Sequence, residues 1–496
     1  MSSQPDDCDA FEATTSIEEI TGDGLNQDTL RSLKNDELSD LWLCQEWEDH
    51  GDYVLEGSPG ELEWLGHFAM KSTRLESFGI LGGDVFHNCS EQSIDRFLFD
   101  LRKCNHIKKM HFVRIYLAEI IYKLGGAMKS NNITRLVVEG CCLGVPEATF
   151  LFNTLPDVME ELCIDCDDDE EFLSDMLDDD IMAKCILPLA ACKGMQKLTL
   201  NGLNLSSSSC AALSAVFPRM AALLELNLRG NLIDDDCARV LAQGLSDCKQ
   251  IQSLSLSRNR ISDDGLDVLI QGLPTSVDML DLAGNEIALA RQIPLLRFKK
   301  LVLSVNSLCP DGPRVLTASL ANPECRLESL IIYRCNIGNE GAVTLAEGLR
   351  NNQKLTFMSL EGNNITEEGW NAFLSILCNP ASINATYNSN HALRNLGYAD
   401  IPQGLKSLLR LNRGQDKNLV AAKKILQAHR HLDMKPLFDR QLELMPYMVA
   451  WLDRFGECRL DLKLSSLYEF ARAMPMVVVE GFSGMKKGKK RRRSCA

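Results

Sequence analysis

Three stretches of this sequence hold residue types that could do chemistry. Cys163-Ile164-Asp165-Cys166 has the C-x-x-C spacing of a zinc or thiol–disulfide site. It overlaps an acidic run, 165–180, in which ten of sixteen residues are Asp or Glu. Far downstream, GFSGMKKGKK (481–490) sets glycines beside lysines, as phosphate-cradling loops do, and runs into KKGKKRRR (486–493) with seven basic residues in eight.

None of the three completes its site. The C-x-x-C has no second pair at zinc spacing and falls where a strand is expected, so Cys163 and Cys166 read as core or surface thiols. The acidic run matches a calcium loop only at Asp165, Asp167 and Asp169. Its sixth position is Glu170 instead of Gly and its twelfth is Met176 instead of Glu. A solvated loop is expected, with Asp165, Asp167, Asp168, Asp169, Glu170 and Glu171 able to steer a basic partner. The glycine–lysine stretch lacks G-x-x-x-x-G-K-[ST] and a preceding strand. Lys486, Lys487, Lys489, Lys490, Arg491, Arg492 and Arg493 therefore read as a disordered basic tail. That tail fits a nuclear-import signal, a patch for anionic surfaces, or a merely solubilising end. His429 and His431 flank Arg430 and are expected at a solvated helix end. No G-x-S-x-G, H-E-x-x-H or active-site cysteine signature is present. No catalysis, cofactor, metal or small-molecule substrate is expected.

The totals agree with a binding protein. A net charge of −16 over 496 residues argues against direct nucleic-acid binding by the main body of the chain. The 19 cysteines sit mostly at apolar positions with no signal peptide before them, which predicts reduced core thiols. No run reaches the roughly 18 apolar residues of a transmembrane segment. A cytoplasmic or nuclear protein is expected.

The elements that would position any site come from a repeat. Leu223, Leu226, Leu228, Asn231 and Ile233 recur 28 residues later as Ile251, Leu254, Leu256, Asn259 and Ile261. This is the L-x-x-L-x-L-x-x-N-x-L frame of a leucine-rich repeat. Strand leucine pairs recur from Phe78/Ile80 to Met358/Leu360, with a weak twelfth at Ala385/Tyr387. Between them, Cys237, Val240, Leu241 and Leu245, then Leu266, Leu269, Ile270 and Leu273, make helical stripes. The frame residues Asn231, Asn259, Asn285, Asn306 and Asn363 are expected to pair backbone groups of adjacent turns, with Cys141 and Cys335 in the same slot. Two steps are irregular. One, of 36 residues, contains the acidic run; the other, of 21 after Leu280, predicts that 291–300 crosses as a loop.

Over about 67–393 the pattern resembles the ribonuclease-inhibitor-type leucine-rich repeat family. The resemblance implies an α/β solenoid, a curved horseshoe with parallel strands inside and helices outside. The expected organisation is a disordered acidic tail at 1–30 and an N-terminal cap at 31–66 containing a short helix at 36–49. About twelve repeats at 67–393, a helical C-terminal cap at 394–475 and a disordered tail at 476–496 complete it. The family includes inhibitors, innate sensors and GTPase-activating proteins. The leading expectation is a non-enzymatic scaffold that binds a protein partner on the concave face. The alternative is a GTPase-activating protein similar to the Ran regulators, with Arg229, Arg258 or Arg334 reaching the nucleotide-bound partner.

Strand alternation names the partner-facing side chains: those one before, one after and three after the first strand leucine. The central ones are small and polar, among them Ser253, Ser255 and Ser257. The later ones supply Val302, Ile331, Tyr333 and Phe357 as expected anchors, with Arg229, Lys300 and Glu361 as a charged rim.

Overall fold

The computed structural model describes residues 16–46, 52–58, 60–83, 85–104, 106–130, 133–141, 143–166, 177–397, 401–414 and 416–429, with isolated positions 453, 454, 457, 465, 467 and 468. They divide into two compact bodies. The first runs to residue 293 and adds 297–307; the second takes 294–296 and the chain from 308 onward.

In the first body the leucine frame becomes a parallel sheet. Its strands are β1 (Asp40–Cys44), β2 (Asp52–Val54), β3 (Ser77–Leu81), β4 (Lys109–Val113), β5 (Arg135–Glu139) and β6 (Glu161–Asp165). They continue as β7 (Lys197–Asn201), β8 (Glu225–Asn227), β9 (Ser253–Ser255), β10 (Met279–Asp281) and β11 (Lys300–Val302). β1 lies between β2 and β3, and from β3 onward the order follows the sequence. The frame leucines stay in step: Leu198 faces Leu226, Leu226 faces Leu254, Leu254 faces Leu280 and Leu280 faces Leu301. The second body repeats the arrangement with β12 (Ser329–Ile331) and β13 (Phe357–Ser359), Leu330 opposite Met358. The leucine frame is thus an α/β leucine-rich-repeat solenoid.

The helices form for local reasons. Asp234 caps Asp235–Leu245 by accepting the Cys237 N–H at 2.9 Å, and two more aspartates sit in its first turn, where the helix dipole favours them. This helix buries Cys237, Ala238, Leu241, Ala242 and Leu245 against its neighbours. Each fully buried aliphatic side chain contributes about 1.5–3 kcal/mol. Gly244 permits close packing: a Cβ there would lie 2.5 Å from the Ser214 Cα. Between β10 and β11 there is no helix, as the 21-residue step predicts. Arg297 compensates by donating to the carbonyls of Ile270 (2.8 Å), Leu273 (2.9 Å) and Pro274, at the end of helix Asp263–Gly272.

The frame asparagines stitch adjacent turns together. Asn259 accepts the Ile233 N–H at 3.0 Å and donates to Leu228 and Leu256 carbonyls at 3.0 Å each. Asn231, Asn285 and Asn306 repeat the pattern in the first body and Asn363 in the second. Cys141 keeps a weaker form, its thiol donating to the Phe112 carbonyl at 3.3 Å. Ten of the fifteen described cysteines are buried, and all fifteen are free thiols.

The residue before the frame slot turns left-handed. Glycine serves there at Gly230, Gly284 and Gly362, but Val305 takes φ +56°. A β-branched side chain is an outlier in that region, and Val305 is half exposed, so packing does not hold it there. Val305→Gly is expected to raise stability by about 1 kcal/mol in urea unfolding; a loss of stability would refute the strain at this position.

The N-terminal expectations change. The expected helix at 36–49 is not formed over its described part, 36–46, because Leu41 and Leu43 alternate at period two and both bury as β1 joins the sheet; 47–49 lie outside the described residues. Nor is the expected tail disordered throughout: Gly24–Lys34 is a helix that buries Leu30 and Leu33, while 1–15 lie outside the described residues. From this helix, Asn26 donates to the Val54 carbonyl at 2.8 Å and accepts the Val54 N–H at 3.0 Å. Thr29 donates to the Asp52 carbonyl at 3.1 Å.

The C-terminal expectations change too. Ala385/Tyr387 is not a strand: Ser382 caps a short helix, Ile383–Tyr387, and Tyr387 is exposed. The apolar strand positions are taken instead by Leu393 and Leu396, and Asn395 bridges to Phe357. Helices Gln403–Leu411 and Lys417–Ala428 follow. His429 is buried, its ring 3.0 Å from the Thr386 hydroxyl, rather than solvated. His431, 430–452 and the basic tail lie outside the described residues.

Candidate protein-binding face

Because the frame leucines point into the core, the alternate side chains occupy the sheet face that carries no helices. In the second body that face presents Ser329, Ile331 and Tyr333 from β12 and its exit, and Phe357, Ser359 and Glu361 from β13 and its exit. Ser329 pairs with Phe357 and Ile331 with Ser359, so Ile331 and Phe357 are diagonal neighbours. Ile331, Tyr333 and Phe357 are half-buried. The Arg334 guanidinium lies 5.0 Å from the Tyr333 ring centroid, and its stem rests above Gly362, where a Cβ would come within 2.7 Å of the Arg334 Cγ. Ser359 donates to the Glu361 carboxylate. The result is a firm, partly apolar patch bounded by one cation and one carboxylate.

In the first body the expected residues separate. Arg229 and Lys300 both act on Asp281, whose carboxyl burial pushes up while the Ala283 N–H and these two cations pull it back. Val302 is buried at 8% exposure and does not offer the anchor its position suggested. Of the three arginines weighed for nucleotide contact, Arg258 and Arg334 are exposed and Arg229 is half-buried.

The same face carries a feature hidden in the sequence. The Trp42 ring lies across Gly79, where a Cβ would meet it at 2.3 Å, and reaches the His111 ring at 5.1 Å. Burial, with Arg135 and Lys109 nearby, pushes His111 down to about 4, so its imidazole is neutral near pH 7. An aromatic on one strand, a glycine on the next and a ring on the third is a cross-strand signal that only strand assignment of 40–44 could have revealed.

The chemical candidates resolve into structure. Cys163 is half-buried on this face, and burial followed by Asp165 pushes its thiol up to about 12, which suits neither a zinc thiolate nor a nucleophile. Among the described residues no His, Cys, Asp and Glu group could hold a metal. Asp165 accepts from the Asn201 amide at 2.8 Å. Asp167, Asp168, Asp169, Glu170 and Glu171 lie outside the described residues. The end of the acidic run is structural. Asp178 caps helix Asp179–Ile186, and Asp179 accepts N–H groups of Ser206, Ser208 and Ser209 at 2.6–3.1 Å. Asp235 and Asp263 hold the following repeat in the same manner. Among the described residues no helix is long and apolar enough to cross a membrane.

Comparison with known proteins gives consistent similarity. A family model described as a leucine-rich repeat matches residues 247–269 and 325–346. Ribonuclease inhibitor of Mus musculus is 30% identical over 197 residues, 38% of this chain and 39% of that protein. Ribonuclease inhibitor of Sus scrofa is 31% identical over 187 residues, 38% of this chain and 37% of that protein. NACHT, LRR and PYD domains-containing protein 14 of Homo sapiens is 25% identical over 209 residues, 42% of this chain and 17% of that protein.

Proposed function

Since the chain is a leucine-rich-repeat protein of the ribonuclease-inhibitor-like type, we propose that it is a non-enzymatic scaffold that holds a protein partner on its helix-free sheet face. The observation that carries this reading is the patch on β12 and β13. Ile331, Tyr333 and Phe357 sit together with Arg334 and Glu361 at its edge, on paired parallel strands. Aromatic anchors ringed by polar groups dominate the energetics of protein interfaces. A repeat sheet supplies them on a rigid base, so little conformational freedom is lost on docking. Arg229 and Lys300, with Asp281 between them, form a polar surface on the first body suited to setting partner orientation rather than affinity.

The test is affinity capture with the full chain, followed by mass spectrometry, comparing the natural protein with Tyr333→Ala/Phe357→Ala. The double variant is expected to lose its specific partner, with an affinity drop of about 30-fold or more. Unchanged capture of every partner would overturn the proposal. Circular dichroism and a urea midpoint serve as the folding control, because neither ring is in the leucine core.

A further inference from the structure

Beyond β13 the second body carries a feature that the sheet-face interface does not use. Between 394 and 414 the sequence has four cations, Arg394, Lys406, Arg410 and Arg413, and one carboxylate, Asp400, in a chain of net charge −16. The fold gathers all four cations around one cavity of about 290 Å³. Lys406 and Arg410 stand at i, i+4 in helix Gln403–Leu411, which buries Leu405 and Leu409, and Arg413 follows just past its end. Arg394 comes from the stretch that bridges to β13. Ile401 and Leu409 form a buried apolar floor, and Asn395 and Gly397 complete the wall.

This arrangement has a cost. Like charges at i, i+4 destabilise a helix by a few tenths of a kcal/mol. Among the described residues Arg394, Arg410 and Arg413 enter no ion pair. A second cavity of about 550 Å³ adjoins the first, sharing Ile401 and Lys406, and is otherwise lined by Ile365, Thr366, Glu367, Trp370, Pro402 and Gln403. The two flank the start of the same helix.

We propose that the cationic cavity binds the phosphate group of a phosphoserine or phosphothreonine in a partner polypeptide, with flanking residues of that segment in the adjoining cavity. Three guanidinium forks and an ammonium match the oxygens of a dianionic phosphate better than a single carboxylate. An apolar floor strengthens those bonds by lowering the local dielectric. The cavity stands at the small end of ligand sites, which suits one modified side chain, and the neighbouring cavity gives the rest of a polypeptide somewhere to lie. This inference rests on the reading of the chain as a protein-binding scaffold.

The experiment uses the full chain against a degenerate peptide pool centred on phosphoserine or phosphothreonine. The same pool unphosphorylated, the pool with Glu at the centre, inorganic phosphate, and vesicles of phosphatidylcholine with phosphatidylserine are the comparison arms. The phosphorylated pool is expected to bind about tenfold or more above both other pools, to be displaced by inorganic phosphate, and to lose that preference in Arg410→Ala/Arg413→Ala. Both arginines are exposed, so the variant should keep its urea midpoint. Tyr333→Ala/Phe357→Ala should leave phosphopeptide binding intact, which separates failure here from failure of the sheet-face interface. Equal binding of the pools, a preference that survives loss of both arginines, or vesicle binding that disappears in the variant with no phosphopeptide preference would each overturn the proposal.

Discussion

Asn259→Ala is expected to destabilise the first body by about 2 kcal/mol. The side chain is 7% exposed and serves four buried backbone groups: the Ile233 N–H and the Leu228, Leu256 and Ser257 carbonyls. Truncation leaves the Ile233 N–H without its acceptor, and an unmet buried group costs about 1–3 kcal/mol, whereas the Leu228 and Leu256 carbonyls keep the amides of Asn231 and Asn285. The order of variants is diagnostic. Asn259→Asp should be at least as harmful as Ala, because a carboxylate accepts but cannot donate to the carbonyls. Asn259→Cys should be milder, since Cys141 does part of this job elsewhere. Urea unfolding together with hydrogen exchange at the Ile233 amide measures both claims. A loss below 1 kcal/mol for Ala, or protection at Ile233 unchanged, would count against the asparagine as the element joining neighbouring turns.

Lys424→Met should loosen helix Lys417–Ala428 from the rest of the second body by about 3 kcal/mol. Lys424 is fully buried, and its ammonium donates to the Leu377 carbonyl at 2.6 Å, to the Asn390 carbonyl at 2.9 Å and to His391 Nδ1 at 3.1 Å. Leu377 ends helix Glu367–Leu377, so its carbonyl is one of the groups a helix leaves unpaired and its dipole favours a cation. Burial pushes the ammonium down to about 8, which still leaves it charged at pH 7. Methionine relieves that burial, a gain of about 3 kcal/mol. It also removes three hydrogen bonds from a charge to buried acceptors, a loss of about 6 kcal/mol at 1.5–3 each. The second effect wins. Limited proteolysis should cut within 417–428 far faster in the variant; identical cleavage would mean that Lys424 does not anchor the helix. Sign matters for pH as well. The folded value lies below the unfolded 10.5, so between about 8 and 10.5 the unfolded chain holds the extra proton, and this group's contribution to stability rises with pH across that window.

What could be read from sequence was whatever a single repeat decides for itself. Leucine spacing, the frame asparagines and the helix stripes act over fewer than thirty residues, and the strands from Phe78 to Met358 follow them. What stayed hidden depends on neighbours. Asp179, Asp235 and Asp263 look like ordinary first-turn acids until the next repeat places its N–H groups on them. Val302 obeys the outward alternation and is nevertheless buried. Leu41 and Leu43 give too short an alternation to announce a strand without β3 beside it. Lys424 reads as one more surface lysine in a helix, and only the carbonyls of Leu377 and Asn390 reveal otherwise.

A parallel sheet that grows by adding identical strands has an outermost strand able to accept an extended segment from another molecule, and so to seed end-to-end polymers. β2 is that strand in the first body. The amide of Asn26 occupies both the N–H and the carbonyl of Val54, and the Thr29 hydroxyl occupies the carbonyl of Asp52. A side-chain amide thus imitates one residue of an incoming strand and ends the series there. The helix Gly24–Lys34 acts as a chain terminator in the polymer chemist's sense, keeping a template for aggregation occupied from within the same molecule.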